Sequence, residues 1–348
     1  MRFTFRAFGE DQPGLQWQNN FKRCWPGYRR WFLRYGERDR PTYFESSRAL
    51  KKYIPEFLPY YEAMTDLAGG GDYAARFLAQ YCPPPLFRGC SQAVYLQDES
   101  VLVRNYDYSP YVFDGLVMKS RLDQRGVIAM LDCMSGALDG INSDGLAVSL
   151  SFGGREEFGT GFGIPLLMRC LLEFAGNIAE ATELLQRIPV HGAYNITLLD
   201  ADDRFDTIAI GPGHEPHSLG TTLATNHQPG SSWPLYEEKV ATHLRYEYLS
   251  GISAARQHSA YQFTREFLQA PLYSSKFARG FGTLYSAAFY PRHRSCEYFW
   301  PQHSWGFGFE NFSDREYRID FIDPEGYPRK SQTYSEIYTA APVPALQF

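Results

Sequence analysis

One cysteine stands in a setting that suits nucleophilic chemistry. Cys90 follows Gly89, comes soon after three consecutive prolines at 83–85, and directly precedes the first segment with strand character. Cysteine is the strongest side-chain nucleophile near neutral pH, and a neighbouring glycine leaves room for a substrate backbone. The alternative is that Cys90 is a small buried apolar residue, which is the usual role of a lone cysteine.

Two charged residues follow this cysteine on the next predicted strand. The segments 93–97 and 101–108 have strand character and are separated by a short polar turn, which predicts a hairpin. A hairpin returns the chain to the level of its start, so we expect Arg104 and Asp107 to lie beside Cys90. A change of register by one residue would move them to the opposite face, and a surface salt bridge is the alternative.

An amide side chain ends a later segment with strand character. Thr225-Asn226-His227 places Asn226 at the end of that segment. An asparagine side chain is a suitable donor to the oxyanion that forms when a nucleophile attacks a carbonyl. The alternative is that the asparagine only stabilises a turn.

Several common catalytic and metal-binding patterns are absent. The chain has no G-x-S-x-G, no Walker-A sequence and no H-E-x-x-H, and the glycines at 159–163 lack dinucleotide-loop spacing. His214 and His217 are three positions apart in a Gly/Pro-containing loop without an obvious third ligand. The sequence therefore predicts neither a metal site nor a cofactor.

Composition restricts the class of protein. The chain has 348 residues, a formal net charge of −5, 44% hydrophobic residues and 21% charged residues, as expected of a globular protein. It lacks a long apolar run, so no membrane span is predicted. The six cysteines form no C-x-x-C pair, and no apolar signal segment is visible at the start, which predicts free thiols in the cytoplasm. Aromatic residues make up 16%, which suits an apolar pocket lined by rings.

Charge is distributed unevenly along the chain. Residues 1–40 carry a net charge of +5 and several interleaved rings, so the remainder carries −10. A basic aromatic stretch could contact nucleic acid or a lipid surface. Because no recognisable nucleic-acid module accompanies it, we favour a helical arm whose rings pack on the acidic remainder, with no nucleic-acid partner.

The elements around these residues predict stacked antiparallel sheets with helices outside. Helices are expected over 43–80, and the triple proline ends them because proline fits neither a helix interior nor a central strand. Further predicted strands are 116–122, 127–132, 146–152, 193–200, 205–210, 283–290, 295–300 and 317–322. Further predicted helices are 164–175, 178–188, 235–249 and 253–268.

Taken in order, five short motifs resemble one enzyme superfamily. They are Gly89-Cys90, Arg104-Asn105-Tyr106-Asp107, Asp139-Gly140-Ile141-Asn142-Ser143-Asp144-Gly145-Leu146, Thr225-Asn226-His227 and the strand 283–289. Over residues 87–300 the chain resembles the N-terminal-nucleophile hydrolases of the choloylglycine hydrolase and penicillin V acylase superfamily. It is most similar to the isopenicillin-N acyltransferase-like branch, which contains linear amide C–N hydrolases.

The resemblance implies a fold and a processing step. The fold is a four-layer αββα sandwich, with residues 1–89 as a mostly helical pro-segment or small subunit and 90–348 as the catalytic core. The nucleophile would be Cys90, made N-terminal by self-cleavage after Gly89, with its own α-amine as the general base. By the same resemblance Asp107 would hold that amine, Arg104 would lie beside the thiol, and Asn226 would donate to the oxyanion.

The chain departs from the choloylglycine hydrolases at two places. Where they have an asparagine, this sequence reads Leu150-Ser151-Phe152, so Ser151 is an uncertain pocket residue. Where they use a late arginine, the segment 275–279 offers Lys276 or Arg279. These departures argue against bile-salt specificity in particular.

Three hypotheses for function follow. The first is an amidohydrolase that cleaves a linear acyl amide with an apolar acyl group. The second is an N-acyltransferase that uses the same site and takes the acyl group from acyl-CoA. The third is a non-enzymatic binding module with an unprocessed fold, and the oligomeric state, including a homo-oligomer, stays open in all three.

Overall fold

The computed structural model describes residues 1–85, 89–230, 233–255, 258–277 and 280–321. Within these residues the chain forms two β-sheets that face each other, with helices packed on both outer sides. The prediction of an α+β, four-layer αββα sandwich is confirmed.

The larger sheet contains nine strands and the smaller sheet six. The strands of the larger sheet are β1 (Arg2–Gly9), β4 (Leu116–Ser120), β5 (Val127–Asp132), β6 (Gly136–Asn142), β7 (Ala147–Phe152), β8 (Tyr194–Leu199), β9 (Phe205–Gly211), β10 (His214–Ser218) and β15 (Arg315–Asp320). Their order is β10-β9-β8-β7-β6-β5-β4-β1-β15. The strands of the smaller sheet are β2 (Gly89–Leu96), β3 (Ser100–Tyr108), β11 (Leu223–Ala224), β12 (Gly282–Tyr290), β13 (Ser295–Trp300) and β14 (His303–Gly308). Their order is β11-β2-β3-β12-β13-β14.

Helices cover the outer face of each sheet. They are α1 (Leu15–Phe32), α2 (Tyr43–Tyr53), α3 (Leu58–Leu67), α4 (Asp72–Leu78), α5 (Ile164–Phe174), α6 (Ile178–Arg187), α7 (Pro234–Val240), α8 (Thr242–Ala255) and α9 (Ala260–Glu266). Side chains of α1–α6 share one apolar cluster with the outer face of the larger sheet. Leu249 of α8 and Phe263 of α9 pack on Val101 and Val103 of the smaller sheet. No helix among the described residues is both long and apolar enough to cross a membrane.

The core that matters for the site lies between the two sheets. Val117, Ile128 and Met130 of the larger sheet pack there with Cys90 and Tyr106 of the smaller sheet. All five are buried, because alternate residues of each strand point toward the opposing sheet. Buried chemistry on strands β2 and β3 is therefore enclosed from both sides.

The N-terminal segment differs from the expected helical arm. Its first residues form strand β1, which is antiparallel to β15 and parallel to β4, so the larger sheet is not wholly antiparallel. The alternation of Phe3 and Phe5 with neighbouring polar residues favours a strand here, whereas the net charge of residues 1–40 carries no information on secondary structure. The α1 rings of Trp17, Phe21 and Trp31 are buried, in agreement with the packing that we favoured for residues 1–40.

Several further elements differ from the sequence-based expectation. His214 and His217 lie in strand β10 and not in a loop, and strand β14 was not predicted. Strand β6, which carries Asp139 and Asn142, was not predicted as a strand. The single helix expected over 235–249 is divided into α7 and α8, because Ala241 between them adopts a left-handed φ of 49°.

Candidate active site

The β2–β3 hairpin places the predicted residues on two different faces. In its register Cys90 pairs with Tyr106, and Gly89 pairs with Asp107. Cys90 and Arg104 therefore point toward the larger sheet, whereas Asp107 lies on the outer face, because it is three residues from Arg104. The thiol and the backbone nitrogen of Cys90 consequently have different surroundings.

The thiol lies beside a buried guanidinium. Nη2 of Arg104 is 3.2 Å from Sγ of Cys90, and Nη1 donates to Oδ2 of Asp139 at 2.9 Å and to the Leu138 carbonyl at 2.8 Å. Hydroxyls of Tyr285 and Tyr298 donate to the same carboxylate at 2.5 and 3.1 Å. Arg104 and Asp139 are both fully buried, and a guanidinium fixed in this way favours negative charge on the neighbouring sulfur.

The charge of Arg104 is maintained despite its burial. Burial alone would lower the pKa of Arg104, but electrostatic interactions with Tyr285, Cys90 and Asp139 outweigh burial and raise its pKa. The guanidinium therefore stays protonated in the interior. The Tyr106 ring lies 5.3 Å from its Cζ and adds a cation–π contact.

Asp107 lies beside the peptide bond that precedes Cys90. It accepts a hydrogen bond from Thr283 Oγ1 at 2.7 Å and is 3.9 Å from an Arg245 guanidinium nitrogen. Burial raises the pKa of Asp107, although Arg245, Thr283 and Arg104 oppose that rise. A side-chain Cβ on Gly89 would lie 3.0 Å from the Asp107 Cβ and 3.0 Å from the Phe281 ring, so any larger residue at position 89 would be crowded.

Asn226 contacts the backbone nitrogen of Cys90 with its oxygen. Oδ1 accepts hydrogen bonds from the Cys90 N–H at 2.8 Å and from Arg245 Nη2 at 2.7 Å, while Nδ2 donates to the Phe152 carbonyl at 3.3 Å. The opposite amide orientation would direct Nδ2 at two donors, so the contacts themselves fix the orientation. In the uncut chain Asn226 thus presents an acceptor, not a donor, to the Cys90 nitrogen.

Arg245 was missed by the sequence analysis. It projects from α8 and donates to the Cys90 carbonyl, to Ser91 Oγ at 2.8 Å, to Asn226 and to the Val240 carbonyl at 2.8 Å. Its side chain is almost fully buried. No motif marks it, and the only signal in the sequence is an arginine on a helix that follows the Thr-Asn-His motif.

The sequence suggested three residues for substrate binding, Ser151, Lys276 and Arg279. Ser151 is buried between the sheets, where its hydroxyl donates to the Thr225 carbonyl at 2.7 Å, so it supports the strand end that leads to Asn226. Lys276 is exposed in the loop before β12, and this position does not bring it to Cys90. Arg279 lies outside the described residues.

A second asparagine, Asn195, donates hydrogen bonds to the residues on either side of Asn226. Nδ2 of Asn195, on β8 of the larger sheet, donates to the carbonyls of Thr225 and His227 at 3.1 and 3.0 Å. These carbonyls flank Asn226 on both sides. The backbone nitrogen of Asn226 donates to Thr242 Oγ1 at 2.8 Å, so the position of this residue is fixed by the larger sheet on one side and by α8 on the other.

The arrangement is closed to solvent. Cys90, Arg104 and Asn226 are fully buried, and Asp107 is 3% exposed. The described residues therefore enclose the Cys90 sulfur. Among the described residues no group of three or more His, Cys, Asp or Glu side chains is placed to hold a metal ion.

Together, the layered fold and a buried thiol beside a guanidinium define a class, the enzymes that hydrolyse amides or transfer acyl groups with an N-terminal-nucleophile fold. Residues 95–305, more than half of the chain, match the family model described as acyl-coenzyme A:6-aminopenicillanic acid acyl-transferase. The chain belongs to this family. The matched region contains Arg104, Asp107 and Asn226 and begins after Cys90.

Solved structures of three enzymes are similar to the chain at low identity. Penicillin V acylase from Agrobacterium tumefaciens has a TM-score of 0.45 at 11% identity, over 64% of this chain and 87% of that chain. A mutant of conjugated bile acid hydrolase from Clostridium perfringens has a TM-score of 0.45 at 10% identity, over 66% and 97%. The N-acylethanolamine-hydrolyzing acid amidase ortholog of Caenorhabditis elegans has a TM-score of 0.43 at 12% identity, over 58% and 93%. No curated protein matches the chain significantly.

Proposed function

We propose that the chain is a cysteine N-terminal-nucleophile amidohydrolase that cleaves a linear acyl amide after cutting its own peptide bond between Gly89 and Cys90. The observation that carries the proposal is the arrangement around Cys90. The Arg104 guanidinium lies 3.2 Å from its sulfur, and the Asn226 amide oxygen lies 2.8 Å from its nitrogen. One group thus favours a thiolate, and the other supports the nitrogen that becomes the α-amine.

Self-cleavage begins with attack of the Cys90 sulfur on the Gly89 carbonyl carbon. A C–S bond forms, the C–N bond breaks, and the thiol proton is transferred to the Cys90 nitrogen. Asp107 lies beside Gly89 on the face opposite the sulfur, so we propose that its carboxylate accepts a hydrogen bond from the departing nitrogen and does not itself carry the proton. Water then hydrolyses the thioester and leaves a carboxylate on Gly89 and a free α-amine on Cys90.

Substrate turnover uses the same groups. The α-amine, whose ordinary pKa is near 8, accepts the thiol proton while sulfur attacks the amide carbonyl. The amine product leaves with that proton, and water hydrolyses the acyl-enzyme. The bond from Asn226 Nδ2 to the Phe152 carbonyl is long at 3.3 Å, and we propose that the substrate oxyanion replaces that carbonyl.

Arg245 is proposed as a positioning residue. It holds the Cys90 carbonyl and the Asn226 oxygen at the same time, so it fixes the nucleophile relative to the amide. Its charge also lies near Asp107, which favours the ionised carboxylate that holds the α-amine after cleavage.

We propose that residues 1–89 remain bound as a small subunit to the catalytic core, 90–348. Strand β1 supports this, because it lies inside the larger sheet between β4 and β15. The rings of α1 and α4 are buried in the same apolar cluster as the larger sheet. A location in the cytoplasm is also part of the proposal.

The description of the matching family favours a second candidate, an N-acyltransferase that takes its acyl group from acyl-CoA. The same acyl-enzyme would then be attacked by an amine instead of water. An assay with an acyl-CoA donor and an acceptor amine separates the two. An N-acyl product formed faster than free acid supports the transferase, and free acid alone supports the hydrolase.

The intact mass of the purified protein tests the proposal. The 39.9 kDa chain should yield fragments of about 10 and 30 kDa, the larger one beginning at Cys90. Cys90→Ala should remain whole and should not hydrolyse acyl amides. Cys296→Ala is the matched control, because Cys296 is a buried cysteine of the same inter-sheet core, and it should still be cleaved. An active Cys90→Ala enzyme would contradict the proposal.

A further inference from the structure

A cavity of about 530 Å³ lies between the N-terminal segment and the core. One side is formed by residues of β1 and α1, and the other by 108–114 and 132–133. Its volume falls within the range of small-molecule sites in proteins. The proposed function does not use the charged groups of this cavity.

Two carboxylates meet at the buried part of the cavity. The Tyr28 hydroxyl donates to Asp114 Oδ2, lies 3.2 Å from Asp132 Oδ1, and accepts the Cys133 N–H at 2.8 Å. Asp132 is 5% exposed. Burial and the neighbouring charge of Asp132 raise the pKa of Asp114 to about 7. Two acids this close favour a cation or a hydrogen-bond donor beside them.

Arginines line the exposed part of the cavity. Arg2, Arg6, Arg23 and Arg30 all contribute to its lining, and only Arg6 is half-buried, the other three being exposed. Arg2 and Arg6 pair with Asp320 and Glu316 at 2.9 and 2.6 Å, on the exposed side where such pairs are weak. Guanidinium groups beside the two acids suit a carboxylate, which they can bind with two hydrogen bonds.

Aromatic rings form further walls of the cavity, next to the acids and the arginines. Phe3, Trp31, Tyr108 and Phe113 line the cavity, and the rings of Phe3 and Phe113 are stacked with centroids 5.5 Å apart. Such walls suit an apolar or aromatic body. A simple anion would meet the two carboxylates, and a simple cation would have to pass the arginines, so neither matches the whole cavity.

We propose that this cavity binds a small zwitterion with an ammonium and a carboxylate on an apolar body the size of a single ring. The ammonium lies at Asp114 and Asp132, the carboxylate lies at Arg6 and Arg23, and the body lies between the rings. The N-terminal segment therefore supplies half of a binding site. This inference goes beyond the proposed function, since it assigns a ligand that the acyl-enzyme chemistry does not require.

Calorimetry on the full-length protein tests the charge argument with three probes. They are L-phenylalanine, 3-phenylpropionate, which lacks the amine, and phenethylamine, which lacks the carboxylate. We expect L-phenylalanine to bind at least tenfold more tightly than either of the others. Equal affinity for one of the single-charge probes would overturn the zwitterion assignment, and no binding of any probe would overturn the site. Because no turnover is measured, the result is independent of the proposed function.

Two variants inside the cavity and two control variants outside it test where L-phenylalanine binds. Arg23→Gln and Asp114→Asn should each weaken L-phenylalanine binding at least fivefold. Arg29→Gln, on the same helix, and Asp123→Asn are exposed controls outside the cavity lining and should bind as the parent does. If Asp114→Asn fails to fold, the affinity of Arg23→Gln for L-phenylalanine still tests the location of the site, because Arg23 is exposed and its substitution should not prevent folding. An equal loss in Arg29→Gln and Arg23→Gln would refute the assigned location.

Discussion

The backbone N–H of Cys90 donates a hydrogen bond of 2.8 Å to Oδ1 of Asn226, 136 residues further along the chain. The nitrogen belongs to the peptide bond between Gly89 and Cys90, and it is the atom that we propose becomes the α-amine. Its acceptor is therefore in place before the bond is cut. Cleavage can proceed without rearrangement of this contact, which is the preorganisation expected of a self-processing site.

Gly89→Ala should block self-cleavage. The added Cβ would lie 3.0 Å from the Asp107 Cβ and from the Phe281 ring, so Gly89 and Asp107 would be forced apart. We expect at least a tenfold slower appearance of the large fragment, followed by mass spectrometry. Gly306→Ala is the control, because nothing lies within 4 Å of its added Cβ. Cleavage of Gly89→Ala at the parental rate would show that close packing at position 89 is not required.

Arg104→Gln should lower both activity and stability. It removes the guanidinium from the Cys90 sulfur and leaves the buried Asp139 without its cation. Breaking a buried pair costs roughly 3–5 kcal/mol, which urea unfolding measures. Arg187→Gln breaks an exposed pair with Glu56 and should cost at most about 1 kcal/mol. Equal effects of the two substitutions would mean that burial of the Arg104–Asp139 pair has no energetic consequence.

Asn195→Leu tests how Asn226 is held in position. Leucine is similar in size but cannot donate to the carbonyls of Thr225 and His227. Because Asn226 would be misplaced in the transition state more than in the substrate complex, we expect kcat to fall roughly tenfold with little change in KM. Thr197→Val, on the same face of β8, is the control. A change in KM alone would argue against a positioning role.

Asp114→Asn should alter how stability depends on pH. The pKa of Asp114 is raised from 3.8 to about 7, so between these values the folded chain keeps a proton that the unfolded chain releases. Stability therefore falls as pH rises through this window, by up to about 4 kcal/mol, and the contribution is constant above it. The variant lacks this decrease, so its free energy of unfolding relative to the parent should increase from pH 5 to pH 8. Parallel urea unfolding curves at the two pH values would contradict the raised pKa.

The contact between Cys90 and Arg104 could be predicted from the sequence more readily than its surroundings could. Cys90 and Arg104 could be brought together because a hairpin has only local degrees of freedom, and its register follows from alternation. The separation of Arg104 and Asp107 onto opposite faces follows from their odd spacing and could also have been read from the sequence. The contact of Arg245 with this site could not be predicted from the sequence, because Arg245 lies on a helix that begins only after the break at Ala241.

The fold, like the site, could be predicted where it depends on neighbouring residues and not where it depends on residues far apart in the chain. The short strands around 127–132 and 147–152 have clear local patterns, and their grouping predicted stacked sheets with helices outside, whereas the four-layer αββα architecture was implied by the family resemblance. The placement of β1 depends on its pairing with β15, whose partner residues are more than 300 positions away, as in the hydrogen bond between Arg2 and Asp320. No local pattern encodes a partner at that distance.

The position of β1 also has a consequence for how the enzyme can be produced. A gene that encodes only 90–348 would leave β4 and β15 without the strand that joins them, and two unpaired strand edges invite aggregation. Recombinant expression should therefore begin from the uncut polypeptide, with the small fragment co-purifying after the cut. Adding a separately synthesised 1–89 peptide to an already folded core would require insertion of a strand into the interior of a sheet.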